Sequence, residues 1–238
     1  MRNTHYELRA CDTYFLRLSR YTVRSFSRND RTPMSTTFSA SEEAGWRDLT
    51  LTLDEVLRPV LRWSVYLAAL TFGPYVALWG WPSFDLGAWP SALVTVLVYT
   101  VVFAGVYAVS AVVHEGLHAL TMALTAGVPW RTIRFGVRWR DGIAFVHSPV
   151  PMTVRAYRVV LAVPGVVQGL LPALAGLALG NGWLVLYGYV MLASALGDVV
   201  MLRLLAPLDG DVLVRDHPSE IGCQVRVPGE APRGPLTA

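Results

Sequence analysis

The sequence contains no lysine: all 20 of its basic Lys/Arg positions are arginine, set against 17 Asp and Glu, for a net charge of +3. A nucleic-acid-binding protein would gather such arginines on one soluble face, whereas here they stand at the ends of apolar runs, where they report membrane orientation. Cysteine is nearly absent. Cys11 and Cys223 lie in polar segments at opposite ends of the chain, which excludes a disulfide framework and a thiolate zinc site. Charge of either sign is sparse at 16%, while 53% of residues are hydrophobic and mean hydropathy is +0.42. That balance points away from a soluble domain and toward a polytopic membrane protein.

A secretion signal is also lacking, because Met1 to about Leu53 is rich in Arg, Ser and Thr with no continuous apolar core. Residues 1–56 are expected to form a disordered or loosely helical cytoplasmic arm. Met34 precedes STTFSASEEAGWRDLTLTLDEVL, which reads as an ordinary beginning and makes Met34 an alternative start to Met1. No internal repeat stands out.

Four apolar blocks follow, each long enough for a hydrocarbon layer of ~30 Å, which takes about 20 helical residues. The first runs from about Trp63 to Trp81 and carries Pro74, a kink position. The second, Ser91 to Ala126, holds no Lys, Arg or Asp and exceeds the length of one crossing. The third runs from about Tyr157 to Leu179 with Pro164 and Pro172, and the fourth from Trp183 to Ala206 with Asp198 embedded in it. Arg58 and Arg62 precede the first block, Arg131, Arg134, Arg138, Arg140, Arg155 and Arg158 separate the second from the third, and Arg203, Arg215 and Arg226 end the set. The loops GWPSFDLGAWP and LGNGW carry no positive charge. The positive-inside rule therefore puts both termini and the central loop in the cytoplasm of a multi-pass cell-membrane protein. Between the second and third blocks, Ile133, Phe135, Val137 and Trp139 alternate with polar or small residues, then Asp141-Gly142 leads to Ile143–Val146. Period two around Asp-Gly predicts a β-hairpin at 131–147. The expected fold class is an all-α polytopic membrane protein: about four transmembrane helices in a 57–206 domain, a small cytoplasmic hairpin between the second and third, and a cytoplasmic tail at 207–238. A shorter alternation at Ile221, Cys223, Val225 and Val227 predicts one more strand in that tail.

Within the second block stands His114-Glu115-Gly116-Leu117-His118, an H-E-x-x-H pattern. On a helix the two histidines project from one face a turn apart, so both imidazoles can reach one Zn²⁺ at roughly 2.0–2.1 Å. Glu115 is then placed to accept a proton from zinc-bound water and pass it to a leaving amine. Plain hydrogen bonding to neighbouring helices is the competing explanation. It weighs less in an apolar run, where a central charge costs roughly 2.5–3.5 kcal/mol without a partner.

A catalytic zinc generally takes three protein ligands. Asp198 is the one acid inside another apolar block. It lies about eight residues from its block's cytoplasmic end, as His118 does from its own, so at ~1.5 Å per residue the two reach similar depth. Asp209, in APLDGDV, competes, although an acid in such a segment is ordinarily a turn residue. His147 and His217 lie in polar sequence where solvation is the default. Gln168 either lines a cavity or bonds across helices, and Gly105 permits a bend in the second block.

The pattern in a membrane helix, a following hairpin and a later aspartate resemble the site-2-type intramembrane zinc metalloproteases. Closer still, HEGLHAL, RAYRVVLAVPG, SALGD and VRDHPSEIGC are similar to a family of small prokaryotic membrane proteins classed as zincin peptidases, over about Leu57 to Val227. The resemblance implies His114 and His118 as ligands, Glu115 as base and Asp198 as third ligand. Site-2 enzymes carry their aspartate in an Asn-containing Leu-Asp-Gly motif; here Leu208-Asp209-Gly210 lacks the Asn and lies past the apparent membrane edge, which keeps Asp209 open. A PDZ insertion has no room.

The expected activity is that of an integral-membrane zinc endopeptidase acting on membrane protein or peptide substrates. The alternative is a membrane metal-binding or metal-transport protein using the same ligands without hydrolysis. Transport requires polar residues along several helices, whereas here they gather at one depth. The sequence is silent on substrate, cleavage site and oligomeric state.

Overall fold

The computed structural model describes residues 45–82, 92–138 and 143–226. Cys11, Met34, Trp139 and the Asp141-Gly142 turn lie outside the described residues. Strand β1 (Trp46–Leu51) leads into helix α1 (Leu53–Trp79), and helix α2 spans Ala92–Ala126. After a short 3₁₀ turn at Trp130–Thr132 come β2 (Arg134–Arg138), β3 (Ile143–His147) and the two-residue β4 (Met152–Thr153). A long helical run follows: α3 (Val154–Pro164), a π-helical turn (Gly165–Leu170) and α4 (Leu171–Leu179). Helices α5 (Gly182–Ser194) and α6 (Leu196–Leu205) then lead to strands β5 (Leu213–Asp216) and β6 (Ile221–Arg226).

The expected hairpin is present as an antiparallel pair, with Phe135 opposite Val146 and Arg134 opposite His147. The all-α expectation needs correcting. A second sheet, four-stranded and antiparallel in the order β1-β6-β5-β4, joins segments from both sides of the helices. Its strand β1 falls inside the stretch expected to be disordered, and pairs Leu49 with Cys223 and Leu51 with Ile221. The reason is burial: Leu49, Leu51, Val214, Cys223 and Val225 share one core cluster with Ala119, Met122, Tyr157 and Val160 of α2 and α3. The tail strand read from its alternation is β6, which sits between β1 and β5.

Among the described residues, two helical runs are long and apolar enough to cross a membrane, Leu93–Ala126 and Val154–Leu179. The pair Gly182–Ser194 and Leu196–Leu205, bent by 42°, makes a third if counted as one span. Helix α1 is not among these candidates, although its charged residues Asp54, Glu55, Arg58 and Arg62 all precede the apolar block that begins at Trp63. Its amino terminus is fixed by a capping box, in which Thr52 Oγ1 accepts the Glu55 amide and the Thr52 amide donates to Glu55 Oε2 at 2.7 Å. Its far end is tied to α4: the Tyr75 hydroxyl and the Trp79 indole N–H donate to the carbonyls of Gly180 and Leu177, at 2.9 and 2.8 Å. Those are the carbonyls that a helix C-terminus leaves unpaired.

Helix α2 is straight-through in sequence: Gly105 does not interrupt it. Only 6% of its most apolar stretch is buried, against 39% for the run through α3 and α4. Helices α4 and α5 pack at backbone contact. A Cβ added to Gly188 would stand 2.5 Å from the Ala173 nitrogen, and one added to Gly176 would stand 2.6 Å from that of Val185. Small residues at such crossings are how apolar helices gain dispersion contact where no water drives them together. The fourth block, expected as one helix, breaks at Ala195, and Asp198 falls in the first turn of α6.

Candidate metal centre

His114 and His118 lie on one face of α2 as their spacing requires, their ring centroids 4.9 Å apart and nearly perpendicular. The break before α6 brings Asp198 against both. His114 Nε2 is 3.1 Å from Asp198 Oδ2, and His118 Nε2 is 3.5 Å from Asp198 Oδ1. The side chains are 8–18% exposed, so a charge there is largely removed from solvent. His118 Nδ1 donates to the Val160 carbonyl of α3 at 2.9 Å. That bond fixes the tautomer, leaving the Nε2 lone pair aimed at the aspartate, the arrangement that orients metal-ligating imidazoles.

The donor set suits zinc. Four ligands at roughly 2.0–2.2 Å in a tetrahedron stand about 3.4 Å from one another, and each imidazole already lies at 3.1–3.5 Å from one of the two Asp198 oxygens. One ligand atom from each of the three residues lies within 4.8 Å of the others, so the group could hold a metal ion. Two neutral imidazoles and one carboxylate also match the nitrogen and oxygen chemistry of a catalytic site with a fourth position left for solvent or substrate.

Glu115, His118 and Asp198 open onto a cavity of about 530 Å³. The β2–β3 hairpin forms part of its lining, with the Val146 backbone close enough to the Glu115 carboxylate to favour its charged form. Asp209 is not part of this cluster: its Oδ1 accepts the Asp211 amide at 3.1 Å, a turn within the segment after α6. Gln168 is buried and bonds across helices, its Nε2 donating to the Ser110 carbonyl at 3.0 Å, one turn before His114.

His147 and His217 also border the cavity, and so do Tyr157 and Asp216. His217 serves the fold. Its Nδ1 accepts the amides of Ser219 and Glu220 at 3.3 and 2.8 Å, while its Nε2 stands 3.6 Å from Asp48 Oδ1. Burial pushes its imidazole below the ordinary histidine value, and the carboxylates of Asp48 and Glu220 oppose that. Asp216 is more deeply placed. The Tyr157 hydroxyl donates to its Oδ1 at 2.6 Å, the Ser148 amide donates to its Oδ2 at 2.7 Å, and His147 Nδ1 is 4.0 Å from Oδ2. Burial raises the Asp216 carboxyl above the usual carboxylate range, with both hydrogen bonds pulling the other way.

Sequence reasoning did not find Tyr157 or Asp216, and it left His147 to solvent. A faint signal existed in the adjacent acid and histidine of VRDHPSEIGC, but only the pairing of distant strands turns them toward the cavity.

The fold and site define a class: a mostly helical protein with spans apolar enough for a membrane and a His-His-Asp group able to hold a metal ion. Residues 107–208 match the family described as "Putative zincin peptidase". The matched segment contains the whole triad and the hairpin and ends before β5 and β6. No curated protein and no solved structure matches the chain.

Proposed function

We propose that the protein is an integral-membrane zinc-dependent endopeptidase acting on membrane proteins or peptides. The observation that carries the reading is the convergence of His114, His118 and Asp198, with His118 held in one tautomer by Val160 and Glu115 on the same cavity. The family match over the same residues supports it.

Zinc held by these three side chains would supply a Lewis acid that polarises the scissile carbonyl and acidifies water. Glu115 takes the proton from the attacking water and delivers it to the leaving amine nitrogen, the general acid and base step. The Val146 backbone faces the Glu115 carboxylate, and with it the end of β3 borders the cavity. The substrate must enter this cavity unwound at its scissile bond, because a helix hides its carbonyls in its own hydrogen bonds.

The helical part lies in the cell membrane as a multi-pass unit, with the arginine-rich segments and both termini on the cytoplasmic side. Leu61, Val65 and Leu70 of α1 are 66–73% exposed, which supports α1 standing against lipid beside the longer spans.

The test is a Glu115→Gln protein reconstituted with a membrane substrate. Cleavage falls by roughly 10²–10⁴-fold, the usual worth of a general base, while bound zinc is unchanged. Unaltered cleavage, or a metal flux that survives the substitution, would instead favour the metal-transport reading.

A further inference from the structure

We propose that Asp216 is a positioning residue for the site, holding His118 through one oxygen and Glu115 through the other. The inference rests on the zinc-peptidase reading above. It concerns a residue outside the segment that matches the family.

The first arm starts at Oδ1. The Tyr157 hydroxyl donates to it at 2.6 Å, and Tyr157 lies three residues before Val160 on α3. The Val160 carbonyl receives His118 Nδ1–H at 2.9 Å, so the rotation and depth of this helix set where the His118 Nε2 lone pair points. The second arm starts at Oδ2. It accepts the Ser148 amide at 2.7 Å, just beyond the end of β3. Two residues back along the same strand, Val146 lines the cavity with Glu115 and its backbone faces the Glu115 carboxylate. One carboxylate thus clamps the helix that orients a metal ligand and the strand that faces the proton carrier.

Stability alone does not call for an acid here. A buried carboxylate costs solvation, and an apolar side chain of similar size generally serves a core as well or better. What a carboxylate adds is two acceptor oxygens on a short, planar group, able to satisfy a phenol and an amide at once. Asparagine keeps the Ser148 bond through its oxygen and can reverse the other by donating to the Tyr157 oxygen, so alanine is the substitution that removes both arms. The sheet places this group with little freedom: Asp216 is paired with Cys223 across β5 and β6, and both are buried.

The experiment uses the full chain in detergent or vesicles, with zinc affinity measured by competition against a chelator and cleavage measured at saturating zinc. Asp216→Ala is expected to weaken zinc binding roughly 10–100-fold, the range for loss of an outer-shell partner. At saturating zinc its kcat falls about tenfold while KM stays within threefold, because the groups displaced handle metal and protons rather than hold substrate. Tyr157→Phe removes the first arm alone and is expected to weaken zinc binding about tenfold with a smaller loss in kcat. Folded Asp216→Ala protein with zinc affinity and kcat within twofold of wild type overturns the proposal. If Asp216→Ala does not fold, Tyr157→Phe decides: unchanged zinc affinity in that variant overturns it. Zinc affinity is read without any cleavage, so a wild-type protein that binds zinc but cleaves nothing defeats the peptidase reading and leaves this one to the metal measurement.

Discussion

Helix α2 and the four-stranded sheet treat their surroundings in opposite ways. Along α2 most apolar side chains turn outward, with Leu93, Val112 and Leu124 all more than 70% exposed, while the polar residues Ser110, His118 and Thr121 are buried beside Ala119 and Met122. In the sheet the order is the familiar one, with Leu49, Val214, Cys223 and Val225 inside. Such an inversion is expected where hydrocarbon replaces water outside, since the apolar face then has nothing to hide from. The metal-capable triad sits where the two regimes meet, its histidines supplied by the inverted helix and its Asp216 clamp by the conventional sheet. The comparison teaches that neither half makes the site alone.

The sharpest way to break that division is at the triad. Asp198→Ala is expected to lower zinc affinity by more than the ~10–100-fold that an outer-shell partner is worth, whereas Asp209→Ala leaves it unchanged; chelator competition on both proteins checks this. Gly188→Val attacks the helical half where backbones touch. Its Cβ would meet the Ala173 backbone at 2.5 Å, so overpacking should cost ~1–3 kcal/mol or more, read as a lowered Tm in detergent.

The sheet is probed by alkali instead. Burial pushes the Cys223 thiol up to about 12 from an ordinary 9.0. Below pH 9 the thiol is neutral folded or unfolded and this contribution is intact; between 9 and 12 only the unfolded chain ionises, so stability falls as pH rises. Cys223→Val should flatten that part of the pH–Tm curve. In a Cys11→Ala background, iodoacetamide should label Cys223 at pH 8 only after denaturation. The smallest effect belongs to the exposed helix surface. A Cβ at Gly105 meets nothing within 4 Å, so Gly105→Ala should stabilise by roughly 0.5–1 kcal/mol, through backbone entropy alone. A thermal melt that moved down would show that α2 has a close partner at that level.

The triad was legible because its signals are local. His114 and His118 state their geometry in a spacing of four, and Asp198 stands out as an acid in an apolar block. The argument that matched their depths assumed one unbroken helix, and the break at Ala195 brings Asp198 to the histidines by a different path. The sheet was only partly legible: the alternation at 221–227 announces β6, but β1 finds its partner some 175 residues away. No periodicity within either strand announces such a pairing. His147 and Asp216 followed the sheet into obscurity, since a polar residue in a polar segment looks solvated until tertiary structure encloses it. Of the four expected crossings, two or three are matched by helices apolar enough for a span among the described residues, and α1 falls short because Trp, Tyr, Gly and Pro dilute its apolar run.

The π-helical turn at Gly165–Leu170 carries a consequence for comparing this chain with others. There the Leu171 amide reaches back five residues to the Val166 carbonyl, so the turn accommodates one residue more than an α-helix would. Removing a single residue between 165 and 170 would leave the helical faces of α3 and α4 pointing where they point now, whereas the same deletion a turn away would rotate everything beyond it by ~100°. A one-residue gap in an alignment of related chains belongs at this turn, and chains that carry the gap are expected to have lost the bulge that presents Gln168 to the Ser110 carbonyl.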